Sequence, residues 1–509
     1  MHRRGTASAH GLQPSPPGLA RVLRLLSGAP RVDGARGAVR RTLLLVCALS
    51  VLGALAAPAA LANERMWVGF HDDPSYRWVP QRVDRIQRSA DDGATIVRLL
   101  VQWNLVAPRR PSRPANPFDA VYKFDDLDEA VRAAQEHGQE AMLTISGTPR
   151  WASGGKPNRM PRRVRDFRLF AQAIAARYSG RFEGFPFVRF WSVWNEPNLN
   201  LFLTPQFDRL GRSVAPANYA KLYAAAYAGI KAGNGLAQIA IGETSARGRD
   251  RRVPGVSDTH SPGKFAELVA KANPRLKFEA WAHHPYPSNP SSKPGQIVRW
   301  PNVSLASLPK LVQNLNTWFR RKSSKIWVTE YGHQTRPEDS FGIPYAQQAT
   351  YIRQSIATAR KMPFVGMFIW FVYQDDQGQP WDSGLYTRAG APKGRSPAAF
   401  RAVATPLDAR NGVFSFRRGT STPLVRLFVR RYCANDSAGT PIGMTWRVYQ
   451  AGRLVTVGQQ SGRLLRDCTI AARLRFRRPL TKGATYTATF ELNDRNGILL
   501  SRRVTIRGL

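Results

Sequence analysis

Between residues 66 and 371, short runs of β-branched and aromatic residues alternate eight times with longer stretches whose apolar residues recur at helical spacing. Nothing else in the chain limits its fold as tightly, because the side-chain period must switch between two and 3.6 at every boundary. The runs predict strands at 67–71, 95–101, 140–146, 187–195, 238–243, 278–284, 325–331 and 365–371. Helices are predicted at 124–137, 164–178, 217–231, 305–320 and 345–361. In the stretch from Ala217, for example, Tyr219, Leu222, Tyr223, Tyr227 and Ile230 line one face, and Gly233 can end the helix. Eight strands alternating with helices over roughly 330 residues predict a (β/α)8 TIM barrel rather than an open doubly wound sheet. No G-x-G-x-x-G follows the first strand, which argues against a dinucleotide-binding fold.

Helical periodicity disappears after about Ala404. Strand-like runs at 422–429, 444–449 and 485–492 predict a small all-β, sandwich-like domain over 405–509, behind a barrel domain at 63–404. Two folded domains suit a chain of 509 residues, which exceeds what one core usually organises. Cys433 and Cys468 share the C-terminal region, where a disulfide would suit an exported protein; two unpaired core thiols are the other reading. Export is expected from residues 1–62. Arg40 and Arg41 precede an uncharged apolar run at 43–61, and Ala60-Leu61-Ala62 offers a cleavage site before Asn63. The alternative is a single uncleaved membrane anchor that also holds Cys47. Residues 1–39, rich in Pro, Gly and Arg, are unusual for a signal peptide and read as a basic lead or a misassigned start.

The net charge of +41 would attract polyanions, but an Arg-rich background spread over the surface is the favoured explanation. No basic cluster is interleaved with aromatics and no zinc-finger spacing occurs, so nucleic acid is not an expected partner. From Thr405 onward there are 19 Lys or Arg against 5 Asp or Glu. This C-terminal region could bind an anionic cell-wall polymer, or serve as an appendage packed on the barrel.

Reacting groups of a TIM barrel project from the C-terminal ends of its strands. The fourth predicted strand ends in Trp194-Asn195-Glu196-Pro197, and the seventh in Thr329-Glu330-Tyr331-Gly332. Paired carboxylates suit glycosidic cleavage, in which one protonates the departing oxygen and the other attacks the anomeric carbon. On these motifs, residues 66–403 resemble the retaining glycosidases of glycoside hydrolase clan A, near families 5 and 39. The resemblance implies Glu196 as acid/base, Glu330 as nucleophile, and Asn195 on the sugar 2-hydroxyl. It also implies that Arg98, in Thr95-Ile96-Val97-Arg98, stands near the nucleophile, and that His284-Pro285-Tyr286 supplies a tyrosine to it. Trp370, ending the eighth strand, resembles the clan's sugar-stacking tryptophan. Trp103 and Trp151 are weaker candidates for outer subsites, and for whichever of His283 and His284 faces inward, simple packing is the alternative to a role in the site. Family 5 usually has a histidine after strand three; here Ser146-Gly147-Thr148-Pro149-Arg150-Trp151 looks more like family 39. The expected function is hydrolysis of a β-glycosidic bond by double displacement, with a carbohydrate as substrate and no metal or organic cofactor required. The rival readings are a cell-surface transglycosylase using the same glutamates and a non-catalytic carbohydrate-binding protein.

Overall fold

The computed structural model describes residues 66–508 except 138, 183–184, 186, 379–380, 405–412, 417–418, 429–440, 464–468 and 495–496. The export segment with Cys47, and both Cys433 and Cys468, lie outside the described residues. Among those described, no helix is long and apolar enough to cross a membrane.

Eight parallel strands close into a barrel in chain order. They are β1 (Trp67–His71), β2 (Ile96–Gln102), β3 (Glu140–Ser146), β4 (Phe190–Val193), β5 (Gln238–Ser245), β6 (Ala280–His284), β7 (Ile326–Val328) and β8 (Val365–Phe371). One main helix follows each: α1 (Arg82–Asp91), α2 (Asp125–Glu136), α3 (Val164–Arg177), α4 (Ala215–Gly233), α5 (Pro262–Ala272), α6 (Leu308–Trp318), α7 (Tyr345–Arg360) and α8 (Ser396–Ala404). The expected TIM barrel is what forms.

Alternation along the strands divides the barrel's apolar residues into two sets. Val97, Leu99, Val101, Ile239 and Ile241 pack outward under the helices. Trp67, Ile96, Met142, Phe190, Trp327, Met367 and Ile369 make a separate cluster in the barrel interior. Two residues further along β2, β3 and β4 the interior turns polar. There Arg98 Nε donates to Thr144 Oγ1 at 2.9 Å, and Thr144 and Ser192 share a 2.8 Å hydrogen bond. An apolar plug under a polar layer is the arrangement that aims charged groups at the mouth.

On α4, Tyr219, Leu222, Tyr223, Ala226 and Ile230 are buried. Gly229 lets α4 approach α3, since a β-carbon there would lie 2.2 Å from the Arg168 carbonyl oxygen.

Strands resume at β9 (Val413–Phe416), followed by β10 (Leu424–Phe428), β11 (Pro441–Gln450), β12 (Arg453–Arg463), β13 (Thr469–Arg473), β14 (Thr485–Asp494) and β15 (Gly497–Gly508). β10 and β13 form a two-stranded sheet, and β12-β11-β14-β15-β9 a five-stranded one. All pairings are antiparallel except β15 with β9. Val425, Leu427, Ile470 and Ala472 of the small sheet share one core with Ile442, Met444, Val448 and Phe490 of the large one, as in a sandwich.

Candidate active site

The polar layer continues upward into a closed network of buried charges. Arg98, fully buried on β2, donates from Nη1 to Glu330 Oε1 at 2.6 Å. Its Nη2 donates to Asn195 Oδ1 at 2.9 Å and to Glu243 Oε2 at 3.2 Å. Tyr286 donates its hydroxyl to Glu330 Oε2 at 2.9 Å. His284 stands between two carboxylates, with Nδ1 3.0 Å from Glu196 Oε1 and Nε2 2.7 Å from Glu243 Oε2. His71, at the end of β1, places Nδ1 3.3 Å from Glu330 Oε1 and Nε2 3.0 Å from Asp73. One ligand-capable atom each from Glu196, His284 and Glu330 lie within 4.8 Å of one another. These three are also the residues that could hold a cation.

Local backbone distortion aims the side chains. β4 ends at Val193, two residues short of the predicted strand, because Trp194 has φ of +72° and leaves the ladder. Glu196 has φ of +39°, and its N–H donates to the Glu243 carbonyl at 2.9 Å. On β5, Gly242 pairs with Ala282 but Thr244 with His283, so Glu243 is the extra residue of a bulge. Simple alternation would turn Glu243 outward; the bulge turns it in, at φ of +47°. Gly242 permits this, since a β-carbon there would lie 2.6 Å from the Trp281 ring. Three non-glycine residues with positive φ at one site store roughly 1–3 kcal/mol each, which the surrounding packing must hold.

The electrostatics separate the two glutamates on β4 and β7. Burial pushes the pKa of Glu196 up and Glu330's charge adds to it, while the bond and charge of His284 and the charge of Arg98 pull back without reversing the rise. Burial would also raise Glu330, but His284, Arg98 and His71 outweigh it and hold this carboxyl well below the usual range. Burial disfavours charge on His284, yet Glu330 and the bonds to Glu196 and Glu243 push its pKa up to about 10. His283 points the other way, bonded to Thr244 and the Val303 carbonyl, and burial lowers it to about 3. The surroundings therefore push the two carboxyl pKa values apart, Glu196 upward and Glu330 downward, which is the direction a proton donor and a nucleophile require.

Comparison with known proteins gives the family. The family model for cellulase (glycosyl hydrolase family 5) matches residues 63–374.

The chain belongs to glycosyl hydrolase family 5.

It is thus a clan A glycosidase, and its substrate is a carbohydrate. Among solved structures, a glucosidase from Croceicoccus marinus is 13% identical, covering 82% of this chain and 94% of that one, with a TM-score of 0.51. A family 39 glycoside hydrolase from Bacteroides cellulosilyticus WH2 is 18% identical, covering 82% of each chain, with a TM-score of 0.50. At these identities the likeness is one of fold. No curated protein sequence matches.

Of the residues singled out in this family 5 chain, the structure brings Arg98, Asn195, Glu196, His284, Tyr286 and Glu330 together. It does not bring Trp370 or Trp103 there. Trp370 is fully buried, packs on Tyr331, and donates its indole N–H to the Ser383 carbonyl at 2.8 Å. Interior residues on β8 are Met367 and Ile369, so by alternation Phe371 faces the site and its neighbour Trp370 faces the helices. Trp103 is fully buried against Trp151, Phe167 and Phe170, because the chain enters a short helix directly after β2 and swings the ring into the core. The half-buried Trp151 donates to the Ala107 carbonyl and carries the Arg110 guanidinium on its ring. The aromatic wall beside Glu330 is instead Tyr286, Phe371 and Trp381, with ring centroids 5.0 Å apart for Tyr286 and Trp381. Trp381→Ala is expected to raise KM roughly tenfold, about 1.4 kcal/mol, while Trp370→Ala costs about 3–5 kcal/mol of stability. Steady-state kinetics beside urea unfolding separate the two effects.

Glu243, His71, Phe371 and Trp381 were missed by motif reading. Glu243 could have been noticed only as a carboxylate closing a strand after a glycine. It touches Arg98, His284 and Thr329 but neither carboxylate oxygen of Glu330, so it acts by positioning them. Glu243→Gln is expected to lower kcat roughly 10²-fold with KM little changed, the cost of a small misplacement. An unchanged kcat in a folded variant would remove that role.

Proposed function

We propose that this glycosidase hydrolyses β-glycosidic bonds with retention, Glu330 acting as nucleophile and Glu196 as acid/base, and that it is exported. The supporting observation is the spacing of the two carboxylates, whose ligand-capable oxygens lie within 4.8 Å. Retaining glycosidases hold their carboxyls about 5–5.5 Å apart, whereas inverting ones need roughly 6.5–9.5 Å to admit a water.

In the first step a Glu330 oxygen bonds to the anomeric carbon as the glycosidic C–O bond breaks, and the departing oxygen takes the proton from Glu196. In the second, water attacks the same carbon, its proton passes to Glu196, and the bond to Glu330 breaks. Arg98 and Tyr286 hold the two Glu330 oxygens in place. With Asn195 Oδ1 occupied by Arg98, the amide NH2 is the group left to meet the sugar 2-hydroxyl. The basic and apolar segments ahead of Asn63 support export, with cleavage after Ala62.

Proton NMR of the first-formed sugar tests the stereochemistry. A β-anomer appearing before mutarotation is the expected product; an α-anomer appearing first would discard the retaining assignment.

A further inference from the structure

Charge on the rim of the barrel mouth is unevenly distributed. After β3, residues 147–163 carry five Lys or Arg and no Asp or Glu. Arg150, Lys156, Arg159 and Arg162 are exposed and, among the described residues, form no ion pair. Asp166, the first acidic residue beyond them, is taken by Arg110 and Arg163. After β5, residues 246–257 hold four Arg against Asp250 alone, whose carboxylate is committed to the N–H and hydroxyl of Ser261. Arg249 and Arg251 of this loop are exposed as well.

Two loops on the other side of the mouth are balanced. Beyond β8, Lys393 pairs with Asp375 and Arg388 with Asp382, and beyond β7 a single Arg336 faces Glu338 and Asp339 in residues 331–344. The loop after β5 is only partly compensated, Arg252 reaching Asp258 at 3.7 Å, whereas the loops after β7 and β8 are neutralised.

That arc adjoins the acid/base. Leu199, three residues after Glu196, pairs with Thr259, and the Asn200 N–H donates to the Asp258 carbonyl at 3.0 Å. Asn158 Nδ2 donates to the Asn200 carbonyl at 3.0 Å, and Arg159 pairs with Thr204. Both basic loops are thus tied to the segment that leaves Glu196. In a retaining mechanism the leaving-group sugar lies beside the acid/base, because that residue must reach the glycosidic oxygen.

We infer that the substrate is an acidic β-glycan, with carboxylate-bearing sugars on the leaving-group side held by this basic arc. The inference rests on the proposed assignment of Glu196. Guanidinium groups pair with carboxylates in two-point, charge-assisted bonds, and such exposed pairs weaken as salt shortens the screening length.

The test compares β-1,4-glucuronan and β-1,4-mannuronan with the same polymers after chemical reduction of their carboxyls. Turnover and equilibrium binding are measured at low and at 0.5 M salt, an ionic strength near the ~3–10 Å screening regime. Two charge-matched variants accompany the parent: Arg150, Arg159, Arg162 and Arg249 each to Gln, and Lys271, Arg275, Lys277 and Lys322 each to Gln. The second set lies away from the rim and controls for general attraction between a cationic protein and a polyanion. The parent is expected to favour an acidic polymer at least tenfold over its reduced form, and to lose that preference in high salt. The rim variant loses the preference and the control keeps it. Equal or better use of the reduced polymers, or an equal fall in both variants, overturns the inference and leaves the glycosidase assignment standing. Absence of turnover on every polymer and aryl glycoside, with the same pattern surviving in binding, would instead remove the catalytic assignment.

Discussion

Glu330→Ala is expected to lower kcat/KM on an aryl β-glycoside by about 10⁴-fold or more, close to 5.5 kcal/mol of transition-state stabilisation. The loss is large because no other carboxylate can take its place. Glu243 is bound to Arg98, His284 and Thr329, and Glu196 belongs to the opposite side of the reacting carbon in the proposed mechanism. Removing the side chain leaves a space bordered by the Arg98 cation and the Tyr286 hydroxyl, suited to a small anion. Added azide should enter it and restore turnover, giving an α-glycosyl azide from a β-glycoside, since one displacement inverts the centre. Glu196→Ala should behave differently. An activated aryl leaving group needs little protonation, so the glycosyl-enzyme still forms, and azide then gives the β-glycosyl azide by a second displacement. The same azide anomer from both variants, or no loss of rate in either, would reject the assignment of roles.

Arg98→Met should be the most damaging substitution for the folded state in the site, costing about 3–5 kcal/mol, since it strands buried carboxylates without their cation. Arg98 touches Glu330, Glu243, Asn195 and Thr144, and it is fully buried. The sign of the pH effect follows from the shift of Glu330. Its pKa is held below the unfolded value, burial being outweighed by His284, Arg98 and His71. Such a group stabilises the fold above its unfolded pKa, and this contribution is lost as pH falls through the folded one. The deficit of the variant should therefore be greatest near neutrality and shrink in acid. The acidic limb of kcat/KM should move to higher pH, because Glu330 ionises less readily without the guanidinium. Arg98→Lys keeps the charge but not the fork, and should restore the limb more fully than the rate. Urea midpoints across pH and a pH–rate profile provide both readings; an unmoved acidic limb in folded Arg98→Met would show that Arg98 does not tune Glu330.

Much of this was legible in the chain because it depends on local repetition. The alternation of strand and helix periods determined the barrel, and strand ends then determined which residues stand at its mouth. Which of His283 and His284 faces inward was left open by the sequence, and the inward Ala282 of the folded barrel assigns that place to His284. Composition and turns likewise marked the change to an all-β region after Ala404, though not the parallel pairing of β9 with β15.

What the tertiary structure decided lies where local period fails. Phe371 and Trp370 differ by one position, and only the register of β8 against β1 and β7 shows which ring meets the site. The bulge that turns Glu243 toward Arg98 exists because β5 must pair with β6 on both sides of it, beside a Trp281 ring that leaves no room for a side chain at Gly242. Trp103 was drawn into the core by Trp151, Phe167 and Phe170, two of which belong to a helix some sixty residues away. The period of a strand or helix is set by its own residues and can be read from them. The direction of a side chain at a bulge or in a loop is set by distant neighbours that meet only when the barrel closes.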